Sequence, residues 1–215
     1  DLHSGNRGCG PSGCTPFLLE DFMTPVEEGF EADLSGLSVC FAIPCYREVV
    51  PLETAIALTE TVSKMRGMGI KVAIAYDKGN ALVDLARNRL VGRFLAETGY
   101  QKIFWLDDDI IFTPEDALRL VSYSTIVPIV GATYPGRKDD PVFYVNRKSS
   151  KWMQNKYGLY ATEGYGMGFV VMDRSVFDKM APVSEQYTAE EEGVKKDYRR
   201  YFYMKLDGGR YIGED

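Results

Sequence analysis

The sequence has no excess of positive charge. Lysine and arginine total 25 against 31 aspartates and glutamates, a net charge of -6, so the chain lacks the overall basic surplus that non-specific binding to a phosphate backbone needs. That disfavours nucleic acid as a partner and leaves only local clusters such as Arg137-Lys138 and Arg199-Arg200. No apolar run approaches the ~20 residues that span a membrane. The first residues, Asp1, Leu2, His3, Ser4 and Gly5, lack the basic and apolar regions of a secretory leader, and the expectation is a soluble, cytoplasmic protein. Cysteine is confined to the first 45 residues of the chain, as two C-x4-C pairs, Cys9/Cys14 and Cys40/Cys45. That spacing is wider than the usual zinc knuckle. Cys40 and Cys45 fall in an apolar run and read as small buried hydrophobes. Cys9 and Cys14 lie in a Gly/Pro/Ser-rich stretch that suits free thiols or a surface disulfide equally. Internal repeats and long low-complexity segments are absent.

What is present is ordinary for a folded domain. The 215 residues are 45% hydrophobic and 26% charged, enough for one domain with a sizeable core. Residues 1–34 read as an N-terminal extension lying on the main domain, with one apolar patch at Phe17, Leu18, Leu19 and Phe22. From residue 35 to 215 the pattern is that of one domain. Val39 to Ile43 is a short continuous apolar run ended by Pro44, the mark of a strand buried on both faces. A helix over 54–65 follows, with Ile56, Leu58, Val62 and Met65 as its apolar positions and Gly67 and Gly69 as its stop. Val72 to Ala75 reads as a second buried strand and 81–98 as a long helix with a stripe at Leu82, Leu85, Ala86, Leu90, Phe94 and Leu95.

A third strand, Ile103 to Leu106, runs straight into Asp107, Asp108 and Asp109. Pro114 suits the first turn of a helix over 115–122, because its missing N–H has no partner there in any case. Ile126 to Ala132 reads as a fourth strand. Strands alternating with helices at these spacings predict an α/β fold with an open, mostly parallel sheet flanked by helices, whose ligands bind beyond the carboxyl ends of the strands. Past Tyr134 the alternation breaks down, and residues 135–215 read as a small mixed region. It has strands at 142–145 and 169–172, a helix at 174–180, and a charged solvated loop or surface helix at 188–200.

Three consecutive carboxylates after a buried strand repel one another, and a divalent cation that prefers oxygen, Mg2+ or Mn2+, is the simplest way to hold them in a cleft. Asp107 and Asp109 share side-chain parity and can face one ligand while Asp108 faces another. A solvated acidic turn is the bland alternative.

Several pieces in this order resemble the GT-A glycosyltransferases, especially small family 2-like members of bacteria and phages. They are Phe41-Ala42-Ile43-Pro44-Cys45-Tyr46, Leu85-Ala86-Arg87-Asn88-Arg89-Leu90, Phe104-Trp105-Leu106-Asp107-Asp108-Asp109, Gly166-Met167-Gly168-Phe169 and the terminal Gly213-Glu214-Asp215. The resemblance spans residues 37–215. It implies a GT-A, Rossmann-like sheet with an acceptor-side part over 135–215. It also implies a metal-dependent transfer of a sugar, with inversion, from a nucleoside diphosphate sugar to a hydroxyl acceptor, with UDP as the first guess for the nucleotide. The acceptor would be a glycan, a small molecule or a modified DNA base.

On this resemblance Asp107 and Asp109 hold Mn2+ or Mg2+. The nucleotide-sugar lies against Pro44, Tyr46, Asp77, Arg87, Asp107, Asp108, Gly166 and Gly168, and Glu214 or Asp215 is the catalytic base. Asp77 would read the nucleobase, since a carboxylate accepts a base N–H, and Arg87 would pair with phosphate or with an aspartate. Each has a plainer reading: Asp77 as a turn residue beside Lys78 and Gly79, Tyr46 as strand-end packing, Arg87 as an exposed helical arginine, the glycines as a tight turn. Many such enzymes add a distal histidine to the metal. The one histidine here is His3, so a carboxylate or water takes that place. A non-catalytic nucleotide-sugar-binding module and a sugar-1-phosphate nucleotidyltransferase are the competing functions. The latter calls for a Gly-rich basic loop after the first strand, where this chain has Pro44-Cys45-Tyr46-Arg47-Glu48.

Overall fold

The structure is a computed structural model that describes residues 32–135, 145–147, 154–191 and 193–212. The expectations for the N-terminal extension, His3, Cys9, Cys14, the strand residues 142–144, Glu214 and Asp215 lie outside these residues. Two compact units are distinguished, one spanning 133–166 and the other joining 31–132 to 167–215. The first carries a short antiparallel pair, β5 (Val145–Arg147) and β6 (Thr162–Tyr165).

The larger unit is built on a mixed five-stranded sheet. Its strands are β1 (Ser38–Cys45), β2 (Lys71–Lys78), β3 (Lys102–Leu106), β4 (Ile129–Gly131) and β7 (Phe169–Asp173), ordered β2-β1-β3-β7-β4. β1 pairs in parallel with β2 and β3, whereas β7 runs antiparallel to both β3 and β4. The expected mostly parallel sheet is therefore corrected: half of its pairings are antiparallel, because β7 returns from the 133–166 unit and inserts between β3 and β4. The fourth strand is also shorter than 126–132, since residues 126 and 127 instead close the turn after the helix Pro114–Tyr123 with bonds to Tyr123.

β3 is buried along its whole length, as is nearly all of β1. Phe41 and Phe104 are register partners and stack at 4.7 Å, and Phe169 closes on Phe104 edge-on at 5.1 Å. With side chains alternating along a strand, Trp105 and Asp107 share the face opposite Phe104. On that face lies α2 (Val83–Ala96), which sets Arg87 over Trp105. α3 (Pro114–Tyr123) opens with Pro114 in its first turn and a reciprocal cap between Thr113 and Asp116, which satisfies two of the helix's orphan donors.

Two elements depart from expectation in burial. α1 (Leu52–Gly67) buries Thr54, Ala57, Leu58, Thr61 and Met65, while Ile56 is exposed. The buried face is thus rotated from the expected apolar stripe. It tolerates threonines because Thr61 Oγ1 donates to the Ala57 carbonyl at 2.7 Å and Thr54 Oγ1 to the Ile110 carbonyl at 2.9 Å. β2 is an edge strand and not a strand buried on both faces: Ile74 and Tyr76 are exposed. Two of its outward carbonyls are blunted, Val72 by the Arg66 guanidinium and Tyr76 by that of Arg93, one way of protecting an edge from pairing with another chain.

The stretch 188–200 is neither loop nor helix. It is a hairpin, β8 (Gln186–Glu191) and β9 (Val194–Arg199), whose turn contains Gly193 at a φ of +77, a conformation glycine adopts without strain. α4 (Arg174–Met180) has the expected bounds and begins on an Asp173 cap. Its Arg174 guanidinium binds the carbonyls of Phe94, Leu95 and Glu97 at the end of α2 and that of Tyr100 in the turn before β3. A last antiparallel pair, β10 (Lys205–Asp207) with β11 (Arg210–Ile212), ends the described chain.

Candidate functional site

The carboxyl ends of β1, β2 and β3 lie side by side, and of the expected residues Pro44, Tyr46, Asp77 and Asp107 to Asp109 lie on or just beyond them. Pro44 is the register partner of Asp77. Asp107 follows the last residue of β3, where its backbone N–H donates to the Gly168 carbonyl at 2.9 Å and its own carbonyl accepts from Ile110. That tight turn presents three carboxylates in succession, each partly exposed.

Arg87 is the organising cation. It is almost fully buried, its guanidinium 5.4 Å from the centre of the Trp105 ring, and its Nη2 donates to Asp107 Oδ1 at 3.1 Å across an ion pair whose carboxylate side is 29% exposed. The surface-arginine reading of Arg87 is excluded. A buried guanidinium on an aromatic face, bonded to a half-open carboxylate, fixes the carboxylate's position while leaving its remaining lone pairs available. Its neighbour Asn88, also buried, accepts the backbone N–H groups of Tyr201 and Phe202 at 2.9 Å each and donates to the Phe202 carbonyl at 2.8 Å. Phe202 closes the shelf from the far side, edge-on to Trp105 at 5.3 Å.

Cys40 and Cys45 are buried free thiols, as expected. Burial pushes both thiols up, Cys40 to about 11. Cys45 also feels the Asp108 carboxylate, which brings the end of β1 against the acidic triplet. Tyr46 is largely exposed at the same strand end. In the 133–166 unit, Gly166 backs directly onto Tyr134, whose hydroxyl lies 2.5 Å from where a Cβ would stand; any side chain there would displace the tyrosine.

Asp77 is 5% exposed, and its Oδ2 has no hydrogen bond among the described residues. Burial pushes its carboxyl above the usual range, while Arg93, Arg89 and the Asn80 side chain pull it back and Glu191 adds to the rise. Sequence reasoning missed most of these neighbours. Glu191 arrives from the hairpin and is buried, accepting from Arg93, from Lys196 Nζ at 2.7 Å and from the Tyr198 hydroxyl at 2.7 Å. Arg89 holds the same hairpin through the Glu190 carbonyl. In a run of charged residues, a buried glutamate is marked only by the alternation of Tyr187, Ala189 and Glu191 along β8.

Asp107 and Asp109 are the residues that suit a cation. Among the described residues no group of three or more His, Cys, Asp or Glu side chains is placed to hold a metal. Two carboxylates nonetheless fit Mg2+ or a similar hard ion, which keeps several waters and takes substrate phosphates as further ligands. No helix among the described residues is long and apolar enough to cross a membrane.

No family model matches the sequence, and no curated protein does. Among solved structures, the chain is similar to the crystal structure of A197 from STIV, with 18% identity and a TM-score of 0.46 over 66% of this chain and 68% of that one.

Proposed function

We propose that the protein is a metal-dependent glycosyltransferase of the GT-A type that moves a sugar from a nucleoside diphosphate sugar to a hydroxyl acceptor. The observation that carries the reading is the Arg87–Asp107 pair at the carboxyl end of β3: a buried cation spent on orienting one carboxylate of an acidic triplet is costly to desolvate, and it aims that triplet into the region where ligands of open α/β sheets bind. In this reading Asp107 and Asp109 hold Mn2+ or Mg2+, which supplies charge neutralisation for a diphosphate leaving group. Arg87 keeps Asp107 in place and adds positive charge to the floor of the diphosphate site. Pro44, Tyr46 and Asp77 line the nucleoside side, Gly168 the sugar side, and Glu214 or Asp215 deprotonates the acceptor hydroxyl.

The test is a calorimetric screen of UDP-, GDP-, TDP- and CMP-sugars with and without Mn2+, with free nucleotide and sugar followed in parallel. Metal-dependent binding accompanied by nucleotide release supports the transferase, and binding without release leaves a nucleotide-sugar-binding module. Asp109→Ala should abolish the metal-supported binding of UDP. Equal UDP affinity in wild type and Asp109→Ala, with Mn2+ present, overturns the metal assignment.

A further inference from the structure

A helix that is apolar on two faces needs two partners. α1 turns Thr54, Ala57, Leu58, Thr61 and Met65 to the interior. By the helix's period Leu52 and Ile56 fall on the opposite side, where they are 70% and 49% exposed. They do not stand alone. Val49, Val50 and Pro51 lead directly into Leu52 and are exposed too, Val49 at 63%. Ile111, also 70% exposed, is carried to the same place, because Thr54 Oγ1 donates to the Ile110 carbonyl at 2.9 Å. The loop that presents the valines is fastened at its base: the Cys45 carbonyl accepts the Glu48 N–H, and the Cys45 thiol donates to the Val49 carbonyl at 3.5 Å. All of these residues belong to the larger unit.

Together they present on the order of 500 Å² of apolar surface, near the upper end of what a monomer leaves open and more than half of the ~800 Å² per partner that a standard interface buries. A lipid surface is a poor match for the patch. Glu53 lies within it, the acidic triplet leads into Ile110 and Ile111, and the net charge is -6, all of which anionic headgroups repel. A second copy of the chain matches in shape and in charge. Leu52 and Ile56 are one turn apart, so two α1 helices crossing antiparallel about a two-fold axis set Leu52 of each against Ile56 of the other, an isologous contact that needs no second surface. In that register the exposed Glu60, one turn beyond Ile56, comes opposite the loop that precedes Leu52 of the second copy, where the exposed Arg47 stands. The two-fold axis makes this ion pair twice.

We propose that the protein forms a two-fold dimer through the first turns of α1, the Val49–Pro51 loop and Ile111, with Arg47 of each copy paired to Glu60 of the other. The contact stands apart from the transferase reading, and its test uses no nucleotide.

Sedimentation velocity of the full chain over about 1–100 μM reads the oligomeric state. Wild type is compared with Leu52→Asp, Arg47→Glu, Glu60→Arg and the double variant Arg47→Glu/Glu60→Arg, and circular dichroism follows the fold of each. Leu52 is exposed in the first turn of α1, where a carboxylate suits the helix dipole, so Leu52→Asp attacks the contact and spares the fold. The expected result is a wild-type dimer that dissociates in the micromolar range and a dissociation constant raised about tenfold or more by Leu52→Asp. Each single charge variant should raise it by about three- to tenfold, and the double variant should return it to within about threefold of wild type. A wild type that stays monomeric across the range overturns the inference, whether or not it binds phosphatidylcholine vesicles. A dimer indifferent to Leu52→Asp overturns it as well, because its interface then lies elsewhere. Loss of the dimer in Leu52→Asp with no rescue in the double variant overturns the antiparallel register.

Discussion

Replacing Glu191 with glutamine should destabilise the protein at neutral pH and hardly at all near pH 2. The Glu191 side chain is 7% exposed and accepts from Arg93, Lys196 and Tyr198. Burial is the largest single influence and pushes its carboxyl up, but the hydrogen bonds from those three residues, with the charge of Arg93, outweigh it and hold the group at about 2, against an ordinary 4.5. A folded-state value below the unfolded one means that the stabilisation is present above pH 4.5 and is lost as pH falls toward 2. The displacement corresponds to at most about 3 kcal/mol. Because the Arg93 and Lys196 side chains are 38% and 49% exposed, solvent screening brings the expectation to about 1–3 kcal/mol. Urea unfolding of wild type and Glu191→Gln at pH 7, 4, 3 and 2 measures it. The gap between the two proteins should be full at pH 7, less than about half by pH 3 and near zero at pH 2. A gap that is absent at pH 7, or that stays constant from pH 7 to pH 3, refutes the reasoning. Tyr198→Phe removes one neutral donor, and it should shift the same titration upward without abolishing it.

The continuous apolar runs of β1 and β3 and the Ala86, Leu90 and Phe94 positions of the α2 stripe were legible because they bury residues whose chemistry is unambiguous, whereas Leu82, expected in the same stripe, is exposed at the helix's N-cap. The acid cluster after β3 was legible for the opposite reason, since charge at the end of a buried strand has little structural purpose. What stayed hidden depends on partners that are distant in the chain. The insertion of β7 between β3 and β4 is a pairing across more than sixty residues, and no local pattern states it. Thr54 and Thr61 face the core because specific carbonyls receive their hydroxyls, which hydropathy cannot register. The hairpin carries the same lesson further. Its charged residues read as solvated, yet Glu191 is buried by two cations and a phenol, one of them contributed by α2 almost a hundred residues earlier. The polar neighbourhood of Asp77 therefore takes shape only when the hairpin folds over α2, although Asp77 itself was singled out from its place at the end of β2.

Arg87→Ala should weaken binding of UDP more than that of uridine, because the partner of the guanidinium is a carboxylate of the acidic triplet; calorimetry with both ligands checks it, and an unchanged ratio confines Arg87 to a structural role. Asn88→Ala should lower stability by about 3 kcal/mol, since it strands the N–H groups of Tyr201 and Phe202 and the Phe202 carbonyl in the interior; chemical denaturation measures it, and a loss below about 1 kcal/mol shows that the 200–204 segment is held by other contacts. The last prediction concerns turnover. An inverting transfer requires a carboxylate on the acceptor side of the anomeric carbon, and the acidic pair assigned there by resemblance is Glu214-Asp215, preceded by Gly213. Proton abstraction belongs to the transition state, so Glu214→Gln or Asp215→Asn should reduce kcat by about 10²–10⁴-fold and leave donor affinity untouched. Donor binding and turnover are measured separately, in a chain extended past residue 215 where one exists. If both variants turn over like wild type, the base lies elsewhere, and the product's anomeric configuration then decides whether a second displacement has to be sought.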